Sequence, residues 1–420
     1  ISTFYTIAGA HTNEKRDQLL LVFSTKLSDH NTKIYSNTEL FERIDSVLET
    51  KKLQNLNNEQ ARVLMLIHRN FVRSGAALKG ENREKFQTIT RKLADIGTRF
   101  SQNLLNDERD WFMKLDNKNL ETLPSFLVQA LNQAGKDRGI NQAVLTLSRS
   151  LITPFLQFCS DRALREVAYV AWTKRGANEG ERNNVKLAHE TLKLRAQMAK
   201  ILGYASYSHY KLDTEMASSP ENVDKLLTTV WGPARKAAIK DEAILSSLMR
   251  QDGIGDTLRA WDWRFYAERR RLRDYDLNEE NVKPFFQLDN LINATFKCAS
   301  ELFGLEFSPL DVPLYHDDCR AWTVSRKGEN IAVFIGDYFS RPSKRSGAWC
   351  NAMRSQAKFP TKQIPIVVNV CNFSKVDNFL LSFEDAKTLF HEFGHALHQI
   401  LSDVTYNIIS GTSVARDFVE

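Results

Sequence analysis

From about residue 12 to residue 305, apolar residues recur three and four positions apart almost without a break. A period of that kind, sustained over so long a run, restricts the chain to a mainly helical body. The stretches EKRDQLLLVFSTKLSDHN, NNEQARVLMLIHRNFVRSGAAL and NREKFQTITRKLADIGTRFSQNLLND all follow it. The low count of breakers, 10 Pro and 18 Gly in 420 residues, agrees with long helices. Gly203 reads as a helix stop and Ser219-Pro220 as a helix start. No repeat of fixed length occurs, so a solenoid is not expected.

The texture changes near residue 307. CRAWTVSR, NIAVFIGDYFS and QIPIVVNVCNFS are short, β-branched and bounded by turn residues, which predicts three strands. Pro309, Pro313, Pro342 and Pro360 punctuate their connections. Ser382 with Asp385 three places on predicts the capped start of a helix. That helix is expected to turn Phe390, Phe393, Leu397 and Ile400 toward a core. Three regions follow: helical at 1–145, helical at 146–306, and a small sheet with its helices at 307–420.

Bulk properties exclude several classes. A chain that is 42% apolar and 26% charged is not disordered. The net charge of +6 arises from 57 basic and 51 acidic residues and demands no nucleic-acid partner. The densest basic run, Arg269-Arg270-Arg271 with Arg273, is interleaved with Glu268, Asp274 and Asp276, so it reads as an ion-paired helix face. Five cysteines without a CxxC pair point to a reducing, cytoplasmic setting and away from a thiolate metal site. No apolar run is long enough to span a membrane, and no signal peptide is evident. The chain opens on Ile1 rather than Met, so it reads as a processed or trimmed piece.

The chemistry gathers in TLFHEFGHALHQI, Thr388–Ile400. Positions four apart share a helix face, so His391 and His395 can converge on one ion. Glu392 points sideways, placed as a general base rather than a ligand. Gly394 is expected to admit a neighbouring group close to the helix. A catalytic zinc needs a third protein ligand. The HExxHxxGxxH form would require Gly at 398 and His at 401, and the chain has His398 and Leu401. His398 lies about 10.5 Å along the axis from His391, too far to share the ion, and reads as a supporting residue. Asp403, Asp417 and Glu420 remain as candidates, and spacing does not choose among them.

HEFGHALH, followed by SGTSVARDFVE, resembles the thimet-oligopeptidase-like family of zinc metallopeptidases. GAALKGENREKFQTITRKLADIGTRFSQNLLND, WDWRFYAERRRLRDYDLNEENVKPFFQLD and SGAWCNAMRSQ are similar to its bacterial peptidyl-dipeptidase branch. The resemblance implies Glu420 as third ligand and Asp417 as a residue behind the ligands. It implies one Zn2+ and a two-lobed helical ellipsoid whose deep channel admits short peptides. It implies release of C-terminal dipeptides by Glu392-assisted attack of water. An endo-acting oligopeptidase on the same scaffold and a non-catalytic peptide-binding protein with a structural metal are the rival readings. Family members continue past this ligand into a helical segment whose His and Tyr residues steady the oxyanion. The chain is therefore expected to lack its C-terminal part, which is either absent or a separate partner chain, and to be impaired alone.

Overall fold

The computed structural model describes residues 1–50, 55–255, 257–275, 282–341, 343–373, 375 and 380–420. Asp276 of the basic run and Pro342 lie outside the described residues. Among the described residues the fold is mainly helical, with two small sheets. It divides into one compact unit of residues 1–79 and 278–420 and another of residues 80–277. The three regions read from the sequence have other limits, because texture changes along the chain whereas compactness is spatial.

The unit of residues 80–277 holds a 31-residue helix, Gly80–Asp110, and a 32-residue helix, Pro220–Gln251, which Ser219 caps and Pro220 opens as expected. The helical pattern hides one antiparallel pair, β1 (Phe112–Leu115) with β2 (Ala143–Thr146). Their Leu115 and Leu145 join Leu127, Leu131, Ile152 and Phe155 in the core. Fully buried Arg165 ties this core to Asp262 at 3.0 Å and to the carbonyls of Cys159, Ser160 and Trp261. The basic run is ion-paired: Arg270 meets Asp241 and Asp274, Arg271 meets Glu268, Arg273 meets Asp274 and Arg269 meets Asp252.

In the unit of residues 1–79 and 278–420, five strands form one sheet: β3 (Leu305–Pro309), β4 (Arg320–Arg326), β5 (Glu329–Phe339), β6 (Trp349–Arg354) and β7 (Ile366–Phe373). Their order is β3-β4-β5-β7-β6, with β5 and β7 parallel and the other pairs antiparallel. Three strands were legible in the sequence, and β3 and β6 add two. β3 is five residues long and ends on Pro309, while β6, WCNAMR, lacks the β-branched residues that mark a strand.

Alternation along β7 sorts its side chains between two cores. Val367 and Cys371 face the helices Leu288–Phe303 and Phe383–Ile400, while Val368 and Val370 pack with Ala10, Ala321 and Ile335 on the other face. Phe296 stacks on Phe307 at 4.0 Å, and Phe334 meets Phe393 edge-on at 5.5 Å. These rings fix the helix Phe383–Ile400 against the sheet.

One buried ionic knot crosses the sheet. Asp337 of β5, with no exposed surface, accepts bonds from both terminal nitrogens of Arg341 (2.8 and 2.6 Å), from Tyr315 Oη (2.7 Å) and from Lys344 Nζ (2.7 Å). The same Nζ reaches the carbonyls of Asp337, Phe339 and Cys371, which staples β5 to β7. Burial pushes the Asp337 carboxyl up, but Arg341, Lys344 and Tyr315 outweigh it and hold the group below its ordinary value.

Candidate metal centre

The helix Phe383–Ile400 starts where the sequence predicts. Ser382 Oγ accepts the Asp385 N–H at 3.1 Å, and the Asp385 carboxylate accepts the Ser382 N–H at 3.1 Å. Phe393 and Ile400 are buried, and Leu397 packs at the edge of the core. Phe390 corrects the expectation: it is 40% exposed, because the buried stripe runs through Ala386, Leu389, Phe393, Ala396 and Ile400. Gly394 corrects another, since a Cβ built there meets nothing within 4 Å.

His391 and His395 share the open side of this helix. Their Nε2 atoms stand 3.0 Å apart, and their rings are nearly perpendicular at 89°. After Leu401 the chain folds back. The side-chain amide of Gln356 donates to the Val404 carbonyl and accepts the Val404 N–H, both at 2.9 Å. Ser402 Oγ accepts the Gly411 N–H at 3.0 Å. Gly411, at φ +54°, packs so close to Gln399 that a Cβ would stand 3.0 Å from Gln399 Cγ. The short helix Arg416–Val419 then brings Glu420 Oε2 to 3.6 Å from His391 Nε2 and 3.7 Å from His395 Nε2.

An Nε2–H···N bond would account for the histidine pair alone, but not for a carboxylate approaching both rings. Tetrahedral coordination at bonds of about 2.1 Å separates neighbouring ligand atoms by roughly 3.4 Å. The three separations of 3.0, 3.6 and 3.7 Å bracket that value, so two imidazoles and one carboxylate fit a divalent transition metal. Burial lowers His395 below its ordinary value, with His391 and His398 adding to the effect and Glu420 opposing it. The neutral ring this favours is the form that binds a metal.

The other candidates lie elsewhere. Asp403 pairs with Lys358 at 2.8 Å, and Asp417 is exposed on the short helix. His398 meets the Phe418 ring edge-on at 6.4 Å, a contact between the histidine helix and the segment that carries Glu420. Glu392 is only 7% exposed, is not one of the three converging donors and has no hydrogen-bond partner among the described residues. Burial pushes its carboxyl up; His391 draws it down and Glu420 adds to the rise. The sequence reading overlooked what lies beneath it. Gln399, seven residues on and on the same side of the helix, donates from Nε2 to Cys350 Sγ of β6 at 3.3 Å. A glutamine buried in an apolar stripe was the available signal.

Residues 155–420 match the sequence pattern of peptidase family M3. Dipeptidyl carboxypeptidase of Escherichia coli K12 is 33% identical over 429 aligned positions, covering 100% of this chain and 63% of that protein. Oligopeptidase A of the same organism is 28% identical, over 94% of the chain and 60% of its own length. Thimet-like oligopeptidase of Dictyostelium discoideum is 26% identical, over 100% and 64%. The chain thus spans under two thirds of the length of these relatives. Among the described residues no helix is long and apolar enough to cross a membrane.

Proposed function

The chain belongs to peptidase family M3, and from that premise we propose zinc-dependent hydrolysis of short peptides. In this reading His391, His395 and Glu420 hold the ion, and Glu392 carries the proton. The observation that supports it is the convergence of three donors beside a buried carboxylate that is not one of them. When bound, zinc supplies Lewis acidity toward water and toward the scissile carbonyl.

The chain's own groups do the rest. Glu392 takes a proton from the attacking water and returns it to the leaving amine nitrogen, a role that suits a carboxyl raised by burial. His398 and Phe418 keep the Glu420 segment against the helix. Asp417 stands one turn from Glu420 as a supporting residue behind the ligands.

Zinc titration is expected to give one ion per chain, and 100-fold excess over Kd should raise stability by about 2.7 kcal/mol. Glu420→Ala should weaken binding by at least about tenfold, on the scale of supporting-residue losses. Isothermal titration with a chelator control measures both; unchanged affinity in Glu420→Ala would remove it from the ligand set.

Two relatives name the finer activities, a dipeptidyl carboxypeptidase and an oligopeptidase. We favour dipeptide release, since the first shows the higher identity and is matched along the whole chain. Zinc-loaded protein given one peptide with a free and with an amidated C-terminus tests this. Dipeptides from the free form alone are expected. Equal cleavage of both would mean endo-acting hydrolysis.

A further inference from the structure

Asn369 of β7 has no exposed surface, and neither Nδ2 nor Oδ1 has a hydrogen-bond partner among the described residues. Each such unmade bond costs on the order of 1–3 kcal/mol, so a buried amide with both ends free calls for a ligand. Its position shows where that ligand sits. Val367 and Cys371, two residues to either side, face the histidine helix, so Asn369 faces it too. Across β6 its register partner is Cys350, which receives the bond from Gln399. Across β5 its partner is Gly336, where a Cβ would collide with the Tyr338 ring.

The layer between β6–β7 and the helix is therefore polar at one spot within an apolar core. Asn369, Cys350 and Cys371 rise from the sheet; Glu392 and Gln399 descend from the helix. Both thiols sense the Glu392 charge. Glu392, 7% exposed, has no protein hydrogen bond among the described residues either, although its carboxylate is not sealed from solvent as the Asn369 amide is. Water is the ligand that can serve an amide, a thiol and a carboxylate together, being both donor and acceptor.

We propose that Asn369 is a positioning residue: its amide and the Cys350 thiol bind ordered internal water, and this water holds the Glu392 carboxylate in one orientation beneath the metal site. The hydration site stands on the fold alone, whereas its catalytic consequence rests on the peptidase reading given above. A bare unsatisfied amide makes the opposite forecast, because leucine of similar size would then be neutral or stabilising.

Crystal structures of the zinc-loaded parent, Asn369→Leu and Asn369→Ser, at a resolution that shows waters, carry the test. In the parent, water is expected within hydrogen-bonding distance of the Asn369 amide, with Glu392 in a single rotamer. In Asn369→Leu the water should be gone and Glu392 spread over several rotamers, while the melting temperature reports that the fold survives. On a peptide substrate kcat should fall about 10- to 100-fold at unchanged KM, and Asn369→Ser, which keeps a polar partner, should recover most of it. No water on the parent amide would overturn the hydration site. An unmoved Glu392 in Asn369→Leu would overturn the positioning role. Absence of peptide hydrolysis by the parent bears on the functional reading alone, and the crystal structures still decide both points.

Discussion

Glu392→Gln is expected to bind zinc as the parent does and to hydrolyse peptides about 10³-fold more slowly. Glutamine keeps the size of the side chain and its place in the buried layer, but it cannot take up a proton from water. Glu392 is not among the donors proposed for the ion, His391, His395 and Glu420, so the affinity has no reason to change. The loss should therefore appear in kcat, with KM near the parent value, since peptide binding does not depend on this proton. Steady-state kinetics beside a zinc titration measure it. A variant that retained turnover within a few-fold of the parent would show that another group carries the proton.

The second large effect concerns stability. Asp337→Asn leaves the cations of Lys344 and Arg341 buried without their counter-charge, and removing one partner of such a group costs about 3–5 kcal/mol. For a unit of this size that corresponds to a fall in Tm on the order of 10 °C. Adding Lys344→Met should restore part of the loss, because a methionine leaves no ammonium to satisfy. The pH dependence has a definite sign. The folded-state pKa of Asp337 is held below its ordinary value, so the stabilisation is complete above the ordinary carboxylate range. It is lost as pH falls from that range through the lower folded value. Denaturant titrations at neutral and acidic pH, with parent and Asp337→Asn side by side, should converge as the pH drops. Parallel pH curves would mean that the knot contributes nothing through this carboxylate.

Much of this architecture is legible in the order of residues. Helical period, helix ends at Gly203, Ser219 and Ser382, and the three β-branched strands are local properties, set by neighbours within a few positions. What was not legible depends on partners far away in the sequence. β6 is a strand because β7 pairs with it, not because WCNAMR favours one. Phe390 lies outside because the buried stripe of its helix is narrow, which a count of apolar residues does not reveal. At the site, the spacing of His391 and His395 showed a shared face, whereas spacing alone left three carboxylates open and only the resemblance pointed to Glu420; the chain's return past Gln356 and Ser402 is what sets that residue beside both rings. Asn369, Cys350 and Gln399 were invisible for the same reason, since sheet register and helix placement together make them neighbours.

The N-terminal helix bears on how a nascent chain reaches this state. Ser2 Oγ bonds to the Ala352 carbonyl, 350 positions later, and Asn351 donates to Thr6 Oγ1. The ribosome must deliver all of the intervening residues, the unit 80–277 among them, before these partners can meet. At about 5–20 residues per second that interval lasts roughly 20–70 s, ample for the middle of the polypeptide to collapse on its own. Residues 1–79 meanwhile wait without their sheet, and helices such as Glu14–Tyr35, with Leu21 and Val22 outward, stay open to chaperones over that interval.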